Sequence, residues 1–436
     1  MNRTLLTLLF LCFVVSATSQ TIKISLEDGY NTFSLEKEER DYYAKYINCS
    51  DKTISELIIP DSIEYQGKKI PVKCIGDTAF AGCNFEYVRL PKQTDSIGAF
   101  AFGDCNQLRI IEGVENVRFI GSRAFWNCYR LQAFSIPTNI KAIEPYTFYS
   151  CLELKAVIIP EGVESIGDNA FAHCGLESVS LPSTVKRLGS SLTNNDVFFG
   201  CVQLKRITVD KNNKYFDSRH GCNAIIETTS NKLISGCYKT TIPNTVISIG
   251  KSAFGYRSKL EKIKIPPKVK LIESGAFSYC RNLKKIKVSR FNKRYDSRND
   301  CNAIIQKDFG WLHTACLTTR IPKDIHIIGP RAYQGLTNMG LFIVPDQITE
   351  IGNSAFFDCE DIRTIILPKG ITSIGSKAFY NCTSLMAITI PEGIKKIEAE
   401  TFKNCSSLMS VTLPSTLSEV SDNAFENCVN YYQSSH

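Results

Sequence analysis

Residues 373–391 read SIGSKAFYNCTSLMAITIP, and the spacing inside this stretch decides the fold. Cys382 follows Phe379 by three residues, and the offset recurs in AFAGC (Cys83), AFGDC (Cys105), AFWNC (Cys128), TFYSC (Cys151), AFAHC (Cys174), AFSYC (Cys280), AFFDC (Cys359), TFKNC (Cys405) and AFENC (Cys428). The landmark aromatic falls at 80, 102, 125, 148 and 171, then at 356, 379, 402 and 425, in steps of 22 or 23 residues. Phe198, Phe254, Phe277 and Tyr333 fill the interval and bring the count to thirteen units. The gaps Phe198–Phe254 and Phe277–Tyr333 are both 56 residues, one 23-residue unit and a 33-residue insert. The inserts match each other, YFDSRHGCNAIIETTSNKLISGCYKTTIP against RYDSRNDCNAIIQKDFGWLHTACLTTRIP, and GSSLTNND lengthens the step into Phe198 to 27.

The unit is L-x-x-I-x-[LIV]-P-x-x-[VI]-x-x-I-G-x-x-A-F-x-x-C-x-x. Its L-x-x-I-x-L run (LKAVIIP, LESVSLP, LMSVTLP) is built from strand formers and ends at a proline, which donates no ladder hydrogen bond. The Gly of SIG is expected to supply a tight bend, and the A-F-x-x-C turn to point small and aromatic groups inward. One unit cannot bury its Ile, Phe and Leu alone, so it must stack on neighbours. A strand in every unit at this period is a leucine-rich repeat. The expected fold is a β-rich solenoid of about 13 units with a parallel sheet on one face and two hairpin-containing inserts. Rungs about 4.8 Å apart give a rod or arc roughly 60 Å long.

The signature IGxxAFxxCxxLxxIxLP resembles the BspA-like (Treponema-type) leucine-rich repeat of bacterial surface proteins, and the resemblance covers about residues 54 to 428. It implies an adhesin that binds host matrix glycoproteins such as fibronectin and fibrinogen and takes part in coaggregation. Residues 20–53 resemble the family's N-terminal cap. ISELIIPDSIEYQGKKIPVKCIGDTAF reads as an atypical first unit with a hairpin that covers an open sheet edge.

The start of the chain, MNRTLLTLLFLCFVVSATSQ, has a basic beginning, an apolar run and then small residues. It reads as a secretory signal peptide, residues 1–19, cleaved before Gln20 or after Ala17. No later apolar run approaches the roughly 20 residues of a spanning helix. The expected organisation is a leader (1–19), a cap and atypical first unit (20–70), a solenoid (71–428, inserts about 212–243 and 291–322) and a C-terminal tail (429–436). The protein is expected to be exported, at the cell surface or extracellular with the periplasm as an alternative, and to act as a monomer.

Export makes disulfides the first suspicion among 18 cysteines. For the ten cysteines above and Cys201, stacking argues against them. Equivalent side chains sit about 4.8 Å apart in register, whereas bridged Cβ atoms lie at roughly 3.5–4.5 Å. An odd set of eleven, each equivalent to both neighbours, has no natural pairing. Zinc lacks a C-x-x-C, and only five histidines exist. Buried thiols that pack as small hydrophobes fit best. The inserts differ, because a symmetric hairpin placing Ile226 opposite Leu233 also places Cys222 opposite Cys237. Cys222–Cys237 and Cys301–Cys316 are therefore either disulfides or pairs of buried thiols.

No phosphate loop, G-x-S-x-G, H-E-x-x-H or calcium loop is present, and the histidines have no spaced partners. No catalytic, metal or cofactor residues are expected. The sequons at Asn48, Asn381 and Asn404 read as chance, the last two lying beside ladder cysteines.

Charge is concentrated. Residues 257–298 hold fourteen Lys/Arg against Glu261, Glu273 and Asp296, a balance of +11 in a chain of net charge +8. Strand alternation puts Lys262 and Lys264 on one face, with Lys285 and Lys287 beside them one rung on and Lys205 and Arg206 nearby. This two-by-two patch is a solubilising surface or a site for an acidic glycan or acidic protein segment. Nucleic acid is disfavoured, since no aromatic residues interleave the lysines. Further along, the outward positions become apolar at Leu341, Ile343 and Ile366, a possible contact surface, while Met386 and Met409 could also fold back on the core. The sequence thus reads as a non-catalytic binding module for an extracellular matrix-type protein or acidic glycan. The competing reading is a glycan-capture protein or enzyme with a site near an insert, which a pocket holding paired carboxylates would favour.

Overall fold

The L-x-x-I-x-L runs turn their central apolar residue inward, and most pair in parallel with a neighbouring run, but LQAFSIP (131–137) and LKAVIIP (154–160), expected as strands, form none. Tyr87–Arg89 pairs with Ile110–Glu112, matching Val88 to Ile111. Leu341–Ile343 pairs with Thr364–Ile366, and Ala387–Thr389 with Ser410–Thr412, always 23 residues apart. The computed structural model describes residues 15–16, 19–26, 29–38, 41–49, 52–190, 196–428 and 432–434. Most of the expected signal peptide and most of the GSSLTNND expansion lie outside these residues. Two compact units divide the chain at Asp217/Ser218; six landmark aromatics fall in the first and seven in the second. No helix among the described residues is long and apolar enough to cross a membrane.

A second row of strands accompanies the first. The two residues before each repeat glycine pair in parallel, as in Phe119–Ile120 on Ser96–Ile97 and Glu350–Ile351 on Ser373–Ile374. The Ile of each pair is buried, so the period-two logic of a strand holds even over two residues. The glycine that follows is not the tight bend expected from the sequence. Gly121 has ordinary φ, but a Cβ there would lie 2.5 Å from Ala99 N of the preceding unit. Close approach of neighbouring backbones is what requires glycine.

The A-F-x-x-C turn forms a third ladder. Arg123, Phe125 and Asn127 donate their amides to Pro145, Thr147 and Tyr149 at 3.1, 2.9 and 2.8 Å. Arg123 and Asn127 sit at φ 59° and 56°, and the equivalent Lys377 and Asn381 at 59° and 58°. Left-handed backbone costs a non-glycine residue about 1–2 kcal/mol, and the hydrogen bonds to the next unit hold it there. Inside the turns the aromatics stack face to face. Phe102, Phe125, Phe148 and Phe171 have centroids 5.3, 5.4 and 5.3 Å apart and planes within 6°. Tyr333, Phe356, Phe379 and Phe402 repeat this at 4.9, 5.4 and 5.4 Å in the second unit.

Ser19–Leu26, Gly29–Glu38 and Asp41–Cys49 form an antiparallel cap, and the last of these pairs in parallel with Lys68–Ile75. The hairpin expected in the first unit is Ser62–Tyr65 with Lys68–Ile75. It turns through Gln66 and Gly67, both at positive φ, which suits the twist of the strands. Tyr46 carries the cap's core onto the ladder, 4.6 Å from Phe80. At the other end Tyr432–Ser434, placed in the tail by the sequence, adds a parallel strand to Ser410–Thr412.

Each insert is pinned by one asparagine. Asn292 Nδ2 donates to Pro266 O and Val269 O at 2.8 and 3.0 Å, and its Oδ1 accepts from the amides of Arg294 and Tyr295. Asn213 repeats all four bonds with Pro182, Val185, Tyr215 and Phe216. The hairpins then depart from the symmetric register. Ile226 does face Leu233, but a bulge makes Ala224 face Gly236, and an equivalent bulge follows Ile304. One residue of slip sends paired side chains to different sides. Cys301 packs in a core with Ile305 and Leu312, whereas Cys316 packs in one with Ile304 and Ile286. The symmetric opposition expected to bring Cys222 to Cys237 and Cys301 to Cys316 is broken by the bulges, and all four cysteines are buried.

Candidate functional site

From Cys105 onward the thiol chemistry of the repeat cysteines is uniform, whereas the Cys83 thiol meets that of Cys49 in the cap. Cys128 Sγ donates to Phe102 O at 3.1 Å, and Phe102 O also accepts the amide of Cys105 at 3.2 Å. The pattern repeats from Cys105 (to Phe80 O, 3.0 Å) to Cys428 (to Phe402 O, 3.1 Å). Each thiol thus fills the second lone pair of a buried aromatic-residue carbonyl one unit back. Burial pushes the Cys105 and Cys280 thiols up to about 12 and raises Cys128 and Cys151 well above the ordinary range. A buried thiol this far from ionising is neither a nucleophile nor a ready metal ligand.

Arg257 breaks the ladder. It stands where FGYR replaces F-x-x-C, and its side chain is fully buried, with Nε donating to Gly236 O at 2.7 Å and a terminal nitrogen to Gly255 O at 3.2 Å. The departure from Cys was visible in the sequence, but nothing there said that the guanidinium would turn inward.

The four lysines fall as the alternation requires. Lys262–Ile265 and Lys285–Val288 pair in parallel, Lys262 opposite Lys285 and Lys264 opposite Lys287, while Ile263, Ile265 and Ile286 are buried beneath. All four ammonium groups are exposed. Lys287 stands 4.0 Å from Asp300 of the second insert, and among the described residues Lys262, Lys264 and Lys285 have no acidic partner at ion-pair distance. Lys205 and Arg206 belong to the first compact unit and the four lysines to the second; Lys205 pairs with Glu177 at 2.6 Å.

Farther along the second unit the outward residues are apolar. Leu341 and Ile343 are each 59% exposed, Ile366 49%, Met386 41% and Met409 53%. Both methionines therefore stand out from the core rather than folding back. Ile343 and Ile366 are cross-strand partners, and Met409 lies one rung beyond Met386, its amide bonded to Met386 O.

Near the second insert a small cleft is lined by Ser278, His313, Thr314, Arg331 and Gln334 among others, and no carboxylate is in its lining. Burial lowers His313 to about 4. Its Nε2 lies 3.0 Å from Ile272 O, which makes it the protonated nitrogen, and Nδ1 faces Thr314 Oγ1 at 2.9 Å. Both ring nitrogens are engaged within the fold. Among the described residues no group of three or more His, Cys, Asp or Glu could hold a metal ion. The amides of Asn381 and Asn404 donate to Asp358 and Tyr380, engagements that a glycan would have to break.

Similar structures fit this picture. A leucine-rich cell surface protein from Faecalibacterium prausnitzii A2-165 is 23% identical, with 94% of each chain covered and a TM-score of 0.46. The pneumococcal vaccine antigen PcpA is 17% identical, covers 91% of this chain and 98% of its own, and superposes with a TM-score of 0.54, which shows the fold. A leucine-rich repeat protein from Bacteroides ovatus ATCC 8483 is 21% identical, with 92% and 91% covered and a TM-score of 0.35. No curated protein matches the chain. The model of the BspA type leucine rich repeat region (6 copies) matches residues 73–196, 230–300 and 302–432. These matches span well over half of the sequence, and the chain belongs to the BspA-type leucine-rich-repeat family.

Proposed function

We propose that this chain is an exported, non-catalytic, adhesin-like module that holds an acidic partner, a matrix-type protein or an acidic glycan, on the lysine grid. The observation that carries the reading is the register of Lys262–Ile265 on Lys285–Val288. It sets four like charges on a solvent-facing sheet with about 4.8 Å between rungs. A focused positive field of this kind attracts anionic ligands and speeds their association. Family membership supports a binding role at the cell surface. The competing reading, a catalytic or capture site near an insert, has less support, because the cleft there lacks the expected carboxylate pair and its one imidazole is tied to the fold.

The test is a screen of matrix proteins and acidic glycans at two salt concentrations. Exposed charges are screened over about 8 Å at physiological ionic strength, so binding should weaken steeply as salt rises. The combined variant Lys262→Ser, Lys264→Ser, Lys285→Ser and Lys287→Ser should keep the parent melting temperature and lose the salt-sensitive binding. Undiminished binding by that variant would refute the assignment.

A further inference from the structure

The lysine grid and the apolar outward positions belong to one face of the second compact unit. Lys284 and Lys285 are followed by Leu317 and Thr318, whose amide and hydroxyl bond Leu283 O and Lys284 O. That rung lies between the lysines and Leu341–Ile343. The units on either side of the second insert also stay in direct register, since Tyr279 N donates to Gln334 O at 3.0 Å. The outward row therefore runs Lys262 and Lys264, Lys285 and Lys287, Thr318 and Arg320, Leu341 and Ile343, Thr364 and Ile366, Ala387 and Thr389. None of these outward positions carries an acidic side chain. From Lys264 to Ile366 the row crosses four intervals, about 19 Å at the usual strand spacing. An extended peptide covers that distance in roughly six residues.

We propose that this strip holds a single extended protein segment, acidic at one end and apolar at the other, laid across the rungs. The inference rests on the reading that the lysine grid binds an acidic partner, and it adds a second subsite and a partner class. Charge complementarity fixes the acidic end at the four lysines, three of which have no acidic partner among the described residues. The other end is fixed by Leu341, Ile343 and Ile366, which are exposed on adjoining rungs with half-buried Phe342 and buried Ile365 beneath them. A uniformly charged polysaccharide gains nothing from that end. A membrane surface wants basic groups encircling an apolar projection, whereas here the two chemistries succeed one another along a line.

The probes are a fluorescent peptide with an acidic run joined by a short polar spacer to an apolar run, the acidic run alone, and vesicles of mixed phosphatidylglycerol and phosphatidylcholine. Each is titrated against the whole chain, the four-lysine variant, and a variant carrying Leu341→Ser, Ile343→Ser and Ile366→Ser, with thermal melts confirming that both variants fold. The joined peptide should bind at least about tenfold more tightly than the acidic run. The apolar variant should remove that advantage while leaving the acidic run's affinity unchanged, and the lysine variant should weaken both peptides. Equal affinity for the two peptides, or an apolar variant that binds the joined peptide like the parent, overturns the strip and leaves the lysine grid standing. A lysine variant that binds the acidic run undiminished overturns the grid itself. Vesicle binding that both variants abolish, with no peptide binding, assigns the face to a lipid surface and overturns the peptide.

Discussion

Replacing Asn292 with Ala should be among the most damaging single changes in the second compact unit. The side chain is 1% exposed and makes four hydrogen bonds, two donated to Pro266 O and Val269 O and two accepted from the amides of Arg294 and Tyr295. A net contribution of about 0.5–1.5 kcal/mol per bond gives roughly 2–6 kcal/mol, and partners left buried without water push towards the upper half. We expect about 4–6 kcal/mol by denaturant unfolding. The local signature is faster hydrogen exchange at Arg294 and Tyr295, whose amides lose their only acceptor given by this side chain. Asn292→Asp separates the donors from the acceptor. It keeps an oxygen for the two amides but turns a second oxygen towards two carbonyls, so it should be no more stable than Asn292→Ala. Asn213 repeats the geometry in the first unit and provides an independent copy of the experiment. A loss below about 1 kcal/mol at both positions would refute the view that these asparagines tie the inserts to the repeats.

Three further outcomes are expected. Thiol titration of the denatured, unreduced protein should find the eleven repeat cysteines and the four insert cysteines free, with little labelling of the native form; mapped disulfides within the inserts would contradict the bulged register. Phe148→Ala should cost about 3–5 kcal/mol, the usual large-to-small cost in a core, because the ring is stacked between Phe125 and Phe171. His313, lowered by burial from 6.5 to about 4, takes up its proton more readily in the unfolded chain. Its contribution to stability is complete above about pH 6.5 and is lost as pH falls towards 4. His313→Gln should flatten the melting temperature across that window, and an unchanged slope would show that the imidazole does not drive it.

The repeat was legible because its signal is redundant. Thirteen copies of one spacing fix the inward faces, and the strand alternation that placed Lys262 and Lys285 outward is a local rule. What escaped the sequence depends on contacts between units. The glycine of SIG looked like a turn residue, yet Gly121 is constrained by Ala99 of the previous unit. The hydrogen bond from a repeat thiol to a carbonyl one unit back joins atoms 25 to 30 residues apart, 26 from Cys128 to Phe102 O, and has no local signature. In the inserts a single bulged residue was enough to break the symmetric register. A symmetric hairpin is the simplest reading of a sequence, and nothing in CNAIIETTSNKLISGC marks where the extra residue goes. Asn213 and Asn292 were equally silent, since a buried asparagine is recognised by its four partners rather than by its neighbours in sequence.

The division between inward and outward positions also determines where binding specificity can reside. Inward residues serve three ladders at once. Phe125 stacks on two rings, donates its amide to Thr147 O and accepts the thiol of Cys151 through its carbonyl. Changing such a residue disturbs packing and hydrogen bonding in two neighbouring units. Outward residues on the same strands touch little, and substitutions at such sites usually stay within about 0.5 kcal/mol. The strands Lys262–Ile265 and Ala387–Thr389 bury the same kind of Ile at their centres while presenting lysines in one case and Ala and Thr in the other. The fold is indifferent to that exchange, whereas an anionic ligand is not. The row of outward side chains can therefore be rewritten rung by rung without altering the solenoid, and a ligand that spans several rungs reads their order rather than any single residue.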